Sequence, residues 1–125
     1  MKLVDTTIAI DHLRGSDAAR RLLRGLRRAG ARISASELVR FELLAGIRPT
    51  ELGVLEDFSA TVEWFPVDRD VARIGGALAR RYGKSHSGIE DVDYLIAATA
   101  LLLDADLLTT NVKHFPMLEG LQPAY

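Results

Sequence analysis

The sequence contains no cysteine, and among its 125 residues only four are prolines and 6% are aromatic. Without cysteine the chain cannot form disulfides, thiolate zinc sites, thiolate-ligated iron–sulfur clusters or a thiol nucleophile. Its longest apolar stretch, Leu95–Leu103, is interrupted by Thr99 and is much shorter than the roughly 20 residues that cross a bilayer. The apolar start, Leu3–Ile10, is broken by Asp5 and does not resemble a secretory signal. These absences predict a cytoplasmic protein that makes no use of a membrane.

The composition is that of an ordinary globular protein, with 48% hydrophobic and 26% charged residues and a net charge of −1. This balance argues against intrinsic disorder, and the length suits one domain over residues 1–125. The net charge alone does not indicate a nucleic-acid-binding protein.

The basic residues are concentrated near the start of the chain, where residues 1–48 hold ten Lys or Arg and five Asp or Glu. Two interpretations remain open. Most charge runs form a solvated helix face, but this one could also be a rim that contacts phosphates through Arg24 and Arg28. The densest part comprises Arg20, Arg21, Arg24, Arg27, Arg28 and Arg32.

The pattern of apolar residues and turn residues predicts short strands that alternate with helices. Alternation of this kind implies an α/β fold, a three-layer α/β/α domain with a mostly parallel central sheet. A helix through Leu103 is predicted to begin at a capping box formed by Ser87 and Glu90. A short helical turn is predicted at Val112–His114. The predicted strands are Lys2–Val4, Ala31–Ser34, Thr61–Phe65 and Asp106–Thr109. The other predicted helices are Thr6–Leu13, the segment from Ser16 to Gly30, Ser36–Ala45, Pro49–Ala60 and Asp68–Tyr82.

Three acidic residues occupy positions that matter in such a fold, because ligands bind beyond the carboxyl ends of parallel strands. Asp5 follows the first strand, where it could simply cap the next helix. Glu42 lies within a helix and could be an ordinary surface glutamate. Asp93, expected in the second turn of a largely apolar helix, needs a partner or a metal. Thr109 to Asn111 end the last strand, and an oxygen-rich set without cysteine favours Mg²⁺ or Mn²⁺.

Four segments, taken in order, resemble a known family. They are Leu3–Thr7, Ser36–Gly46, Asp93–Ala100 and Leu108–Phe115, and together they extend over nearly the whole chain. The sequence resembles the PIN-domain ribonucleases and, among them, the VapC-type toxins of bacterial type II toxin–antitoxin pairs.

This resemblance implies a parallel sheet flanked by helices, with Asp5, Glu42 and Asp93 holding Mg²⁺ or Mn²⁺. Where the family often has a fourth acid, this chain has Asn111 and His114 as the candidates. Hydroxyl groups that would orient the acids, and further candidates for substrate contact, complete the expected site. The hydroxyl residues are Thr6, Ser36 and Thr109, and the substrate candidates are Arg24, Arg28, Lys113 and His114.

The activity implied by the resemblance is endonucleolytic hydrolysis of RNA by a metal-activated water, with Asn111 assisting the three acids. The implied partners are RNA, a cognate VapB-like antitoxin and a second copy of the chain, in a toxin–antitoxin hetero-oligomer. An alternative is a catalytically weak PIN-like module that binds antitoxin or RNA without cleavage. Its support is the presence of Asn111 and His114 where a fourth acid is expected.

Overall fold

A four-stranded, entirely parallel sheet forms the centre of the molecule in a computed structural model that describes residues 1–125. The strand order is β3-β2-β1-β4, so β1 is a central strand and β4 joins it on the other side from β2. The strands are β1 (Lys2–Val4), β2 (Ile33–Ser36), β3 (Glu63–Phe65) and β4 (Asp106–Leu108). The predicted α/β fold with a parallel sheet is confirmed.

Six helices connect and flank these strands. Several begin at a side chain that caps their free N–H groups: Ser16 accepts from Ala19, and Asp68 accepts from Val71. None of the helices combines the length and the apolarity that a membrane crossing requires. The helices are α1 (Thr6–Leu13), α2 (Asp17–Arg28), α3 (Glu37–Gly46), α4 (Leu52–Ala60), α5 (Arg69–Tyr82) and α6 (Asp91–Leu103), and 3₁₀ turns lie at Pro49–Glu51 and Val112–His114.

Four strand boundaries differ from those predicted, and one of them is the end of β2, which lies at Ser36 and not at Ser34. Strand β2 begins at Ile33 and not at Ala31, because the Ala31 N–H donates to Leu26 and completes the end of α2. Strand β3 begins at Glu63, since the Thr61 N–H similarly closes α4. The last strand ends at Leu108, one residue earlier than predicted.

The predicted capping box at Ser87 is wrong, because α6 begins one turn later. Glu90 is its N-cap, and the Asp93 carboxylate accepts a hydrogen bond of 3.0 Å from the Glu90 N–H. Gly88 has a φ of +85°, a turn conformation that separates Ser87 from the helix. Asp93 therefore lies in the first turn of α6, where the helix dipole favours a negative charge.

The core includes β1, whose Leu3 and Val4 are fully buried. Ile96 and Ala97 of α6 and Ile8 of α1 belong to the same buried cluster as these two strand residues. Parallel strands bring their carboxyl ends to a common edge, so the residues that follow β1 and β4 become neighbours there. These residues are Asp5 and Thr109.

Candidate metal centre

Asp5 is held at the end of β1 by its backbone and by both of its carboxylate oxygens. Its N–H donates to the Leu108 carbonyl at 2.9 Å, which ties it to β4. Its Oδ1 accepts from the Thr6 N–H at 2.8 Å and its Oδ2 from the Thr109 hydroxyl at 2.7 Å. The residue caps α1, and only 4% of its surface is exposed. Burial raises the pKa of Asp5, the two hydrogen bonds oppose this shift, and the charges of Asp93 and Glu42 add to it.

Glu42 lies on α3 and reaches the same edge of the sheet through Thr6. The Thr6 hydroxyl donates to Glu42 Oε1 at 2.7 Å, while the Thr6 N–H binds Asp5. Thr6 thus connects two of the three acids, and Glu42 Oε2 accepts no hydrogen bond from the protein. The predicted orienting residue Ser36 does not contact an acid. Its hydroxyl caps α3 at Leu38 N, and it therefore positions the helix that carries Glu42.

Asp93 is fixed through one oxygen only. Its Oδ2 accepts from the Glu90 N–H at 3.0 Å and lies 2.9 Å from the Nδ1 of His114. Its Oδ1 has no partner in the protein. The Asp93 side chain is 15% exposed and that of His114 is 34% exposed, so the pair is partly shielded from water. His114, predicted as a substrate contact, is therefore an immediate partner of an acid.

The residues that follow β4 close the site from one side. Thr109 is fully buried, and its hydroxyl accepts from the Asn111 N–H at 3.0 Å while it donates to Asp5. Asn111 is half-buried, and its side-chain amide forms no hydrogen bond within the protein. Lys113 is exposed on the turn beside His114. The structure thus brings Thr109, Asn111 and His114 to the acids.

The structure does not bring Arg24 and Arg28 to this cluster. Helix α2 leads into β2, which begins at Ile33 beside Lys2, at the end of the sheet opposite to Asp5. Arg27, between the two, donates to Thr61 just before β3, at that same opposite end. Both arginines are exposed and face solvent there.

A divalent cation such as Mg²⁺ requires several oxygen ligands around it. No three Asp, Glu or His side chains are close enough to enclose a bare metal ion. Asp93 Oδ1 and Glu42 Oε2 are nevertheless free of protein donors, and Asp5 lies near enough to both acids for their charges to raise its pKa. Such a set fits Mg²⁺ or Mn²⁺, which prefer oxygen ligands; Mg²⁺ in particular keeps part of its water shell.

Replacing Asp5 with asparagine is expected to change how the stability of the metal-free protein depends on pH. Because the folded state raises the pKa of Asp5, it favours the protonated carboxyl, and wild-type stability falls as the pH rises above the ordinary aspartate value. The asparagine side chain carries no charge and remains a good N-cap. In the presence of a chelator, the melting temperature of Asp5→Asn minus that of the wild type should therefore increase as the pH rises from about 4 to about 7.

The exposed Asp91, replaced by asparagine, serves as the control for a general charge effect. A melting-temperature difference between Asp5→Asn and the wild type that stayed constant over this pH range would show that burial does not penalise the Asp5 charge.

Comparison with known proteins agrees with this geometry. The family model of the PIN domain matches residues 2–118. The parallel sheet, the acids at its carboxyl edge and this match define a PIN-domain protein.

Similar proteins of known name identify the family within the PIN-domain proteins. The chain is 66% identical over 125 residues to Ribonuclease VapC19 of Mycobacterium tuberculosis, with complete coverage of both chains. It is 42% identical to Ribonuclease VapC10 of the same organism, covering all of this chain and 93% of the relative. The chain therefore belongs to the VapC family of PIN-domain ribonucleases.

Solved structures share the fold. A toxin–antitoxin complex from Klebsiella pneumoniae superposes with a TM-score of 0.80 at 26% identity, covering 100% of this chain and 98% of the other. VapBC2 from Rickettsia felis, bound to a DNA fragment from its promoter, gives a TM-score of 0.82 at 23% identity, with 96% and 94% coverage. The prediction of a VapC-type ribonuclease of a toxin–antitoxin system is confirmed at the level of the family.

Proposed function

We propose that this chain is a metal-dependent endoribonuclease toxin that hydrolyses RNA phosphodiester bonds at the edge of the sheet where Asp5, Glu42 and Asp93 meet. The observation that carries the proposal is the way these acids are held. Thr6 binds both Asp5 and Glu42, and each of Glu42 and Asp93 keeps one carboxylate oxygen free. Three acids on separate elements repel one another, and their carboxylate oxygens without a hydrogen-bond donor are available to bind a cation.

Each acid has a distinct part in this proposal. Mg²⁺ or Mn²⁺, when bound, would supply a Lewis acid that activates water and offsets charge on the phosphoryl oxygens. Asp93 Oδ1 and Glu42 Oε2 are the free oxygens that would hold it, directly or through water. Asp5, fixed by Thr6 and Thr109, contributes a buried negative charge; burial raises its pKa, and the charges of Asp93 and Glu42 add to the shift.

Asn111 and His114 take the place of a fourth acid in this proposal. The free amide of Asn111 can donate to a phosphoryl oxygen or accept from a bound water. His114 fixes the orientation of Asp93 through its Nδ1, and Lys113 beside it is an exposed cation available to the RNA backbone. The presence of Asn111 and His114 in place of a fourth acid leaves Asp5, Glu42 and Asp93 unchanged.

The second candidate function is a module that binds antitoxin or RNA without cleaving it. The observation in its favour is that the three acids do not form a closed ligand set. The two functions differ in one result, which is whether RNA is cut.

Cleavage of total cellular RNA by the purified, antitoxin-free chain tests the proposal. Reactions contain Mg²⁺, Mn²⁺ or a chelator. Discrete cuts that require a metal support the nuclease, and mapping their ends identifies the target. Intact RNA in both metals, with the protein shown to be folded by circular dichroism, would favour the binding module.

Metal binding should also stabilise the fold, because it relieves the repulsion between the acids. A cation present at about 100 times its dissociation constant would stabilise the folded state by about 2.7 kcal/mol. We expect Mg²⁺ to raise the melting temperature of the wild type, relative to NaCl of equal ionic strength. The increase should be lost in Asp93→Asn; an equal increase in both proteins would place the ion elsewhere.

The partner proposed for this chain is a VapB-like antitoxin, and the structures of similar fold support it because they are toxin–antitoxin complexes. Exposed apolar side chains on α3 and α4, next to Glu42, offer a surface for such a partner: Phe41, Leu44 and Leu52. The apolar residues of α1 and α2 contribute less, because Ile8 and Leu23 are fully buried in the core. We further propose that the chain forms a homodimer within the hetero-oligomer.

A further inference from the structure

Helix α5 carries an exposed basic face. Four basic residues follow one another at intervals of four, seven and four residues, which places them on the same side of a helix. The last of them, Lys84, follows Gly83, whose dihedral angles continue the helix. All four side chains are exposed, and none takes part in any ion pair of the chain. The basic face of α5 consists of Arg69, Arg73, Arg80 and Lys84.

This face leads toward the acid cluster. Helices α5 and α6 pack closely and run in opposite directions, since Gly75 lies against Leu95 while Ala79 and Asp91 line one cavity. Gly75 permits the contact, because a Cβ atom there would lie 2.9 Å from Leu95 Cδ2. The last turn of α5 therefore lies beside the first turn of α6, which carries Asp93.

The positive charge on α5 lies beside the acid cluster, where RNA would need it. RNA approaching three carboxylates is repelled, and cations on the surrounding surface must compensate. Beyond residue 48 the chain has six basic residues, and five of them lie between Arg69 and Lys84. At 1.5 Å per residue this stretch is about 22 Å long, enough to follow several nucleotides of a strand.

The basic face of α2 is richer in charge but lies in the wrong place. Arg24 and Arg28 are exposed on a helix that ends at the side of the sheet opposite to Asp5. A strand bound there would be held away from the acids. A comparison of α2 with α5 therefore separates the effect of the amount of positive charge on RNA binding from the effect of its distance from the acids.

We infer that the basic face of α5 is the track that binds the RNA backbone and directs it to Asp5, Glu42 and Asp93. This inference rests on the proposed ribonuclease function and adds to it the surface that holds the substrate. The contacts are with phosphates, so the track contributes affinity and placement and does not select a sequence.

The test compares two pairs of substitutions with the same loss of charge, Arg73→Gln with Arg80→Gln and Arg24→Gln with Arg28→Gln. The probe is a fluorescein-labelled single-stranded RNA of about 15 nucleotides, and the Asp93→Asn background prevents cleavage. Fluorescence anisotropy is measured from roughly 50 to 200 mM KCl. Circular dichroism melting confirms that both pairs remain folded.

The α5 pair should weaken binding about tenfold at low salt and reduce the slope of log K against log salt by about 1.4, or about 0.7 for each phosphate contact on a single strand. The α2 pair should change binding less than about twofold. Arg73→Lys with Arg80→Lys should retain the salt slope, because the charges remain. With the wild-type acids present, the α5 pair should raise KM for RNA cleavage and leave kcat unchanged.

Equal losses from the α5 and α2 pairs, or no loss from the α5 pair, would overturn the inference. The outcomes also separate it from the proposed function. If the wild type cleaves RNA and the α5 pair behaves like it, the nuclease stands and the track is wrong. If the wild type cleaves nothing while the α5 pair alone loses RNA binding, the track stands and the nuclease is wrong.

Discussion

Asp93→Asn should lower the rate of RNA cleavage by roughly 100- to 1000-fold, the scale for losing one preorganised electrostatic group in an active site. Asparagine has nearly the same shape, and its amide oxygen can still accept from the Glu90 N–H and keep the start of α6. What it loses is the negative charge and the open Oδ1 that would hold a cation. The fold should therefore survive while the cleavage does not.

The control for Asp93→Asn is Asp91→Asn. Asp91 lies in the same first turn of α6, and its replacement removes the same charge, but it is exposed and bonded to none of the other acids. Initial rates on one RNA, together with melting curves, should show less than a twofold change for Asp91→Asn. Equal losses in the two variants, or full activity in Asp93→Asn, would refute the assignment of Asp93.

His114→Ala should weaken the apparent affinity for the metal and the cleavage rate by about 10- to 100-fold, which is typical for a residue that orients a metal ligand. The basis is the 2.9 Å contact between His114 Nδ1 and Asp93 Oδ2. Without it, the Asp93 carboxylate can turn, and its free oxygen is no longer held in the orientation in which it would bind a cation.

Different replacements of His114 distinguish its orientation of the Asp93 carboxylate from a role in packing. The amide nitrogen of asparagine can occupy the place of Nδ1, whereas that of glutamine extends toward the place of Nε2. His114→Asn should therefore restore much of the affinity, and His114→Gln should not. Binding of Mn²⁺ followed by electron paramagnetic resonance gives a measure independent of cleavage. Equal effects of all three replacements would assign His114 a role in packing alone.

The site was more predictable from sequence where it depends on strand ends than where it depends on tertiary contacts. Asp5 follows a short apolar strand, and the rule that parallel strands place their functional residues at one edge is sufficient to locate it. Glu42 has no such local indication. It joins Asp5 only because Thr6, the next residue along the chain, reaches across to α3.

Two features of the site could not be derived from local patterns. Ser87 and Glu90 have the spacing of a capping box, but Gly88 turns the chain and the cap forms at Glu90, with Asp93 as its partner. The contact between Asp93 and His114 joins residues 21 positions apart and exists because β4 pairs with β1. The only indication in the sequence was a histidine near the place of a fourth acid.

The two arginine-rich helices show a further limit of sequence patterns. The run in α2 is the densest concentration of positive charge, and composition alone makes it the better candidate for RNA. The order of elements places its end opposite to Asp5, whereas the sparser basic residues of α5 lead to α6. Charge could be counted from the sequence, but its distance from the acids required the fold.

The central claim is that Asp5, Glu42 and Asp93 form one metal centre, and its most direct test is a crystal of the purified chain soaked in Mn²⁺. Anomalous scattering should show an ion at the carboxyl edge of the sheet, bound to Asp93 and held by Asp5 and Glu42 directly or through water. The peak should be absent from Asp93→Asn crystals soaked in the same way. Fully occupied Mn²⁺ elsewhere on the protein, with none between these acids, would contradict the account.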